Sequence, residues 1–411
     1  MTFELQSNGV PRVLLAHPGT QYSHQLARQL YRQGLLNQFW TGIALCKESL
    51  STRALSRALP VDYYKRIANR VISGVPKKYI RLLPFVELAA LRRIRRGDSE
   101  QSVLHERNEL FQSKIPESAI KNVSALIGFD TSSWILTEKA LGLGRQFFLD
   151  QSAAHPLVNH DVYETLATQF PEWRSTSEGR LPKVLASERI EHQLASKIVV
   201  ASSYTKRTLV NQGVAEDKIV VNSFGVDLDT FHPPEDARRR SPLRFLFLGS
   251  VSAHKGIPLL IDAWRSLAGS NAELWIVGPI AEQHRVLIPD LPGLYVKGKY
   301  AFEDLPELLR QCDVLVFPSF SEGFGLVLLE ALASGMPIIT TENTAAPDLI
   351  TNGREGFLLP AGDAEALREA LESFTRQRVD IDAMSVAARK CAQSFTWDRY
   401  GERWARILKG N

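Results

Sequence analysis

A short apolar run, a glycine-bearing loop and a helical pattern follow one another along this sequence, in two separate series. The first series opens at 13–16, an apolar run followed by the loop His17-Pro-Gly-Thr-Gln and a helical pattern over 23–34. Further strand-like runs lie at 125–128, 146–149, 197–201 and 219–221, with helical patterns at 132–140 and 185–194 between them. Residues 232–242 (His-Pro-Pro-Glu-Asp-Ala-Arg-Arg-Arg-Ser-Pro) are polar, bounded by proline and without apolar period, so they read as a linker. The second series then places strands at 244–248, 273–277, 294–296, 314–317 and 337–340. Its helices fall near 256–267, 302–311, 326–333 and 364–374. Most strand-to-strand intervals have room for a crossover, as parallel sheets require. The expectation is an α/β chain of two similar-sized layered halves with a cleft between them.

Composition fits a folded α/β protein. In 411 residues, 44% are apolar and 23% charged, which sets aside collagen, coiled coil and disorder. No window of 18 residues is free of charge, which argues against a spanning helix. The segment Met1-Thr-Phe-Glu-Leu-Gln-Ser-Asn has neither a basic nor an apolar leader region, so no signal peptide is expected. Cys46, Cys312 and Cys391 are odd in number and far apart, suggesting neither a disulfide framework nor a zinc site. Together these features predict a cytoplasmic location.

Charge is unevenly distributed. Residues 51–97 hold twelve Lys/Arg against Asp62 and Glu87, a local net of +10 within a chain whose total is +4. The bases alternate with apolar residues, as in Leu82-Leu-Pro-Phe85-Val and Leu88-Ala-Ala-Leu91-Arg-Arg-Ile94-Arg-Arg. Such a pattern suits the anionic surface of a membrane, which makes a peripheral position on its cytoplasmic face the expectation. A merely solvated helical face is the simpler reading. Nucleic acid is not expected as a partner, because no nucleic-acid motif accompanies the charge.

Two loops carry the residues suited to chemistry. In Pro318-Ser-Phe-Ser-Glu322-Gly323-Phe324-Gly325-Leu326-Val-Leu-Leu-Glu330, an apolar strand runs into a glycine-rich loop and a helix starts near Gly325. Backbone N–H groups at such a start favour an anion, typically phosphate. Gly323 and Gly325 let the backbone approach a ligand with no Cβ in the way. Glu330 sits about 7 Å along the helix, at roughly 1.5 Å per residue. One carboxylate can therefore face a reacting group while the other accepts bonds from hydroxyls further out. The second loop, Phe247-Leu-Gly249-Ser250-Val-Ser-Ala-His254-Lys255-Gly256, again joins a strand to a helix and places Lys255 to neutralise phosphate oxygens.

Together these residues resemble the family 4 glycosyltransferases, retaining enzymes of the GT-B architecture. The resemblance covers most of the chain and is strong over 244–362. The family's Glu, seven residues, Glu signature matches Glu322 and Glu330, and its Gly-Arg-Leu-x-x-x-Lys-Gly matches Gly249-Ser250-Val251-x-x-x-Lys255-Gly256. Leu332–Ile338 and Pro347-Asp348 through Gly353 and Gly356 also follow the family pattern. Ser202-Ser203-Tyr204 and Phe224-Gly225-Val226-Asp227 with Phe231 look like the end of its first domain.

The resemblance implies two Rossmann-like α/β domains facing each other across a cleft. Residues 1–231 would form the acceptor-side domain, 232–242 the linker and 243–394 the nucleotide-sugar domain, with 395–411 crossing back onto the first. It also implies roles. Lys255 would hold the donor diphosphate, Glu330 the ribose hydroxyls and Glu322 the sugar near its anomeric centre. Gly19 and Thr20 would approach donor or acceptor. His155, in Asp150-Gln151-Ser-Ala-Ala-His155-Pro156, would face the sugar.

One departure stands out. The family's diphosphate-binding Arg is Ser250 here, and His254 or a base from the first half would have to compensate. Asp227-Leu-Asp229 falls in a turn-like segment, and no residue cluster has metal-ligand spacing, so no metal or other cofactor is expected. A Gly-x-Gly-x-x-Gly opening the first βα unit is missing, against a nicotinamide enzyme. The reading is a retaining transferase moving sugar from a nucleotide diphosphate to a glycan, glycolipid or lipid-linked acceptor. The rivals are a silent sugar-nucleotide binding protein and a GT-B-like epimerase or phosphorylase.

Overall fold

The structure is a computed structural model, and it describes residues 11–19, 22–46, 70–174, 182–235, 241–267 and 269–410. The first half contains β1 (Val13–His17), β2 (Leu36–Thr41), β3 (Leu45–Cys46), β4 (Val71–Ile72), β5 (Ile80–Leu82), β6 (Ala125–Phe129), β7 (Gln146–Gln151), β8 (Lys197–Val200) and β9 (Ile219–Val221). Seven of these form one sheet in the order β5-β2-β1-β6-β7-β8-β9, while β3 and β4 pair separately. The second half contains β10 (Leu243–Leu248), β11 (Ala272–Val277), β12 (Leu294–Gly298), β13 (Val314–Phe317), β14 (Ile338–Thr341) and β15 (Gly356–Leu359), ordered β12-β11-β10-β13-β14-β15. Every pairing is parallel.

Both central strands are buried on two faces, which explains their continuous apolar runs. Phe245, Leu246, Phe247 and Val314 are fully enclosed. Burying each such side chain contributes roughly 1.5–3 kcal/mol. In each sheet the strand order reverses beside the first strand, between β1 and β6 and again between β10 and β13. Loops leaving the carboxyl ends of strands at such a reversal diverge and leave a crevice. The candidate loops after β1, β10 and β13 all leave from these points.

The last helix, Trp397–Lys409, crosses back onto the first half. Val226 bridges Thr396, and a Cβ on Gly225 would lie 2.2 Å from the Trp397 nitrogen, so only glycine permits this approach. Gln29 donates to Asp398 at 3.2 Å, Arg32 pairs with Asp398, and Arg403 donates to Asn222 at 2.6 Å. At the centre of this junction the buried Asp150 carboxyl accepts from Tyr22 at 2.8 Å and from Tyr400 at 3.4 Å. Burial pushes that carboxyl up to about 8.

Several elements differ from the sequence expectation. The run expected as a helix over 302–311 begins as a 3-10 turn, Phe302–Asp304, before the helix Leu305–Arg310. The 232–242 segment lies partly outside the described residues. Asp227, by contrast, serves the turn expected of it, accepting from Asp229 and Thr230 backbone N–H groups at 3.1 and 3.3 Å. Of the basic segment, residues 51–69 lie outside the described part. Arg70 departs from a surface role, since it turns inward and donates to the buried Glu87 at 3.2 Å.

Candidate active site

The two loops of the second half are brought together by glycine. A Cβ on Gly256, whose φ is +76°, would meet the Pro318 carbonyl oxygen at 2.1 Å. That contact presses the β10 loop onto the start of the β13 loop. Lys255, one residue earlier, reaches across and forms an ion pair with Glu322. Its ammonium also lies 5.2 Å from the Phe317 ring centroid, and burial pulls it down to about 8. Gly325, at φ +81°, opens the helix Leu326–Ala333, and a Cβ there would lie 3.3 Å from Glu322 Cγ. The Glu322 side chain is thus folded over the helix start. Glu330 stands on that helix, and burial raises its carboxyl to about 7.

The remaining residues of the expected set divide. Gly249 has only ordinary contacts around a Cβ, 3.5 Å from Phe247 and Phe317. Its carbonyl, however, would lie 1.8 Å from a Cβ on Gly278, whose φ is +146°. Gly278 is therefore a site glycine that the sequence reading missed, because it stands in no motif quoted there. Ser250 is exposed. His254 adds no charge in this structure. Its ring stacks on Tyr163 of the first half at 4.8 Å, and burial pulls it down to about 4, so it is neutral. Its Nε2 is buried without a hydrogen-bond partner.

Phe324 is a correction of another kind. It is buried against Phe224 of the first half at 4.9 Å, so its side chain joins the domains, and only its backbone remains for a ligand. Gly323 touches the first half as well. A Cβ there would meet the Ser152 carbonyl oxygen at 2.1 Å. Its own carbonyl accepts from Ser202 at 2.6 Å and Thr205 at 3.0 Å. Leu326 is half-buried at the helix start.

In the first half, Gly19 lies against His17, with a Cβ position 3.2 Å from its ring, while Thr20 lies outside the described residues. His155 caps the helix Pro156–Gln169, Nδ1 accepting from the Leu157 N–H at 3.3 Å, and its ring lies 5.5 Å from that of His192. It lines a groove of about 970 Å³ with Glu188, His192 and Lys218, and none of the donor-loop residues borders that groove. Among the described residues no group of three or more His, Cys, Asp or Glu is arranged to hold a metal ion. Nor is any described helix long and apolar enough to cross a membrane.

The Lys255 ammonium and the Glu322 carboxylate thus meet beside the Gly325 helix start at the carboxyl ends of β10 and β13, an arrangement suited to a phosphorylated ligand. Solved structures share the architecture. The Anabaena protein HepE, in complex with UDP and glucose, superposes with a TM-score of 0.64 at 14% identity, covering 98% of this chain and all of that one. The chain has the GT-B fold. Residues 242–377 match the family described as Glycosyl transferases group 1. Among curated relatives, D-inositol 3-phosphate glycosyltransferase of Pseudarthrobacter chlorophenolicus is 32% identical over 54% of this chain and 58% of its own length. Amylovoran biosynthesis glycosyltransferase AmsK of Erwinia amylovora is 28% identical over 44% and 48%. The chain spans about half the length of the curated relatives it matches.

The Lys255 environment has a direct consequence. An ammonium pulled down to about 8 reacts with amine reagents at a lower pH than surface lysines do. Modification followed residue by residue by mass spectrometry should show Lys255 half-reactive near that pH. Glu322→Gln, which removes the facing anion, should lower its midpoint further. A Lys255 that titrates with the surface lysines contradicts this site.

Proposed function

We propose that the chain is a retaining glycosyltransferase that moves a sugar from a nucleotide diphosphate to a hydroxyl acceptor. The observation that carries this reading is the meeting of Lys255, Glu322 and the Gly325 helix start at one strand reversal. When the sugar–phosphate bond breaks, charge develops on the diphosphate leaving group. In this reading Lys255 and the 323–326 backbone N–H groups receive that charge in place of a metal ion. The sugar passes through an oxocarbenium-like state that the Glu322 carboxylate stabilises. The acceptor hydroxyl attacks from the face that the diphosphate leaves, and the departing phosphate takes its proton. No protein nucleophile enters this scheme, which accords with His155 lying in a separate groove. The donor's ribose hydroxyls are assigned to Glu330.

Ser250 leaves a second reading, a sugar-nucleotide binding protein without turnover, and one experiment separates the two. The purified protein is incubated with UDP-, GDP- and ADP-sugars in the presence of chelator, and release of nucleoside diphosphate is followed. One donor should be hydrolysed slowly. Lys255→Ala and Glu322→Ala should each lower that rate about 10²–10³-fold at unchanged melting temperature. Stabilisation by a donor with no hydrolysis, in the presence or absence of acceptors, would favour the silent protein. Full activity in either variant would overturn the role given to that residue.

The acceptor we assign is a glycan or lipid-linked glycan reached from a membrane surface. Phe85 is 84% exposed, with Leu82 and Leu88 also exposed beside it. Leu82 ends β5, Phe85 and Leu88 lie in the helix Pro84–Arg95, and the exposed residues continue through Arg92, Arg95 and the following Arg96. An apolar tip followed by arginines matches an anionic bilayer surface, each base contributing about 1 kcal/mol near it. In flotation at low salt, vesicles containing phosphatidylglycerol should carry the protein, and pure phosphatidylcholine vesicles should not. Phe85→Ser should weaken the interaction. No flotation with the anionic vesicles would remove the membrane from this account.

A further inference from the structure

One peptide group of the donor loop is held from the first half, by the carbonyl of Gly323. The helix Ser203–Asn211 follows β8 and begins at Ser202, whose side chain caps it by accepting from the Thr205 N–H at 3.1 Å. The Ser202 and Thr205 hydroxyls both donate to the Gly323 carbonyl oxygen, at 2.6 and 3.0 Å. Both residues are fully buried, so these bonds are shielded from water.

The grip is reciprocal. From the helix Ala346–Leu349 of the second half, Asp348 accepts from the Ser203 N–H at 2.6 Å, which sets a carboxylate on the positive end of the first-half helix. Tyr204 donates to the Ser321 hydroxyl at 2.8 Å. Ser202, Ser203, Tyr204 and Thr205 therefore each bond to the second half, around the loop that bears Glu322. The transfer scheme above gives them no task.

What the grip does follows from peptide chemistry. A carbonyl oxygen and the next N–H belong to one conjugated group, so donors on the oxygen draw electron density from the nitrogen and strengthen its N–H as a donor. The N–H joined to the Gly323 carbonyl is that of Phe324. It has no hydrogen-bond partner among the described residues, and it lies one residue before Gly325, which opens the helix Leu326–Ala333.

We propose that Thr205 is a positioning residue of the transferase, which with Ser202 orients and polarises the Gly323–Phe324 peptide so that the Phe324 N–H meets the charge developing on the diphosphate. The inference rests on the transferase reading above. It adds that part of the donor's electrostatic stabilisation is supplied by the first half, through a peptide group. Because the benefit grows with the charge on the leaving group, it favours the transition state over the bound donor.

The test uses the full chain and two conservative variants. Thr205→Val removes one hydroxyl and keeps the side chain's shape, while Ser202 still satisfies the Gly323 carbonyl. Thr205→Ser keeps the hydroxyl. With the donor that the wild type hydrolyses, Thr205→Val should lower kcat about fivefold, at a donor KM within about twofold and an unchanged melting temperature. Thr205→Ser should hold kcat within about twofold of the wild type. In protein labelled with ¹⁵N-phenylalanine, the Phe324 amide resonance should move in Thr205→Val and stay near its wild-type position in Thr205→Ser. A wild-type kcat in Thr205→Val, equal losses in both variants, a loss carried wholly by KM, or an unmoved Phe324 resonance would overturn the proposal. A wild type that turns over no donor would instead strike at the transferase reading itself. The Phe324 resonance is read without turnover, so the two failures are distinguishable.

Discussion

Gly323 is the point through which the two halves are joined at the site. Its lack of a side chain lets it lie on the Ser152 carbonyl, and its own carbonyl is held by two hydroxyls, Ser202 and Thr205. Any Cβ would separate the donor loop from the first half. Around it, Tyr204 donates to Ser321 at 2.8 Å, Ser321 to Asn159 at 2.7 Å, and Phe324 packs on Phe224. These contacts are short, polar and matched at both ends, so the loop is fixed relative to both sheets. Glu322, one residue away, inherits that fixed position.

The donor end then follows from close backbone approaches rather than from charge alone. Gly256 against Pro318 and Gly278 against Gly249 draw three loops of the second sheet into one crevice. Only one ammonium is placed there by the motif residues, since Ser250 carries no charge and His254 is neutral against Tyr163. In the proposed reading, the helix start and Lys255 share the diphosphate between them. At the opposite end, Asp150 ties Tyr22 and Tyr400 together, so the returning helix is anchored in the first half at the end of β7.

Much of this was legible in the sequence for a physical reason. Strands buried on both faces appear as unbroken apolar runs, and a loop that must meet a ligand at a helix start advertises itself by glycine. Hence β1, β10 and β13, the Glu322–Glu330 pair and Lys255 were readable. The strand β2 was not, because Leu-Asn-Gln-Phe-Trp-Thr mixes polar and apolar residues, and β5 is a three-residue edge. The capping role of His155 was not legible, because only the fold reveals its Nδ1 on the Leu157 N–H and its ring against His192. Phe324 sits within a ligand motif yet packs as core.

The account therefore rests on a diphosphate site centred on Lys255. Calorimetric titration of UDP, GDP and ADP, each beside its parent nucleoside, into the wild-type chain and Lys255→Ala addresses it most directly. One diphosphate should bind the wild type, and Lys255→Ala should weaken it about tenfold or more while leaving the nucleoside's weaker binding unchanged. A wild type that binds none of the three, or a Lys255→Ala variant that binds its diphosphate equally well, would contradict the account.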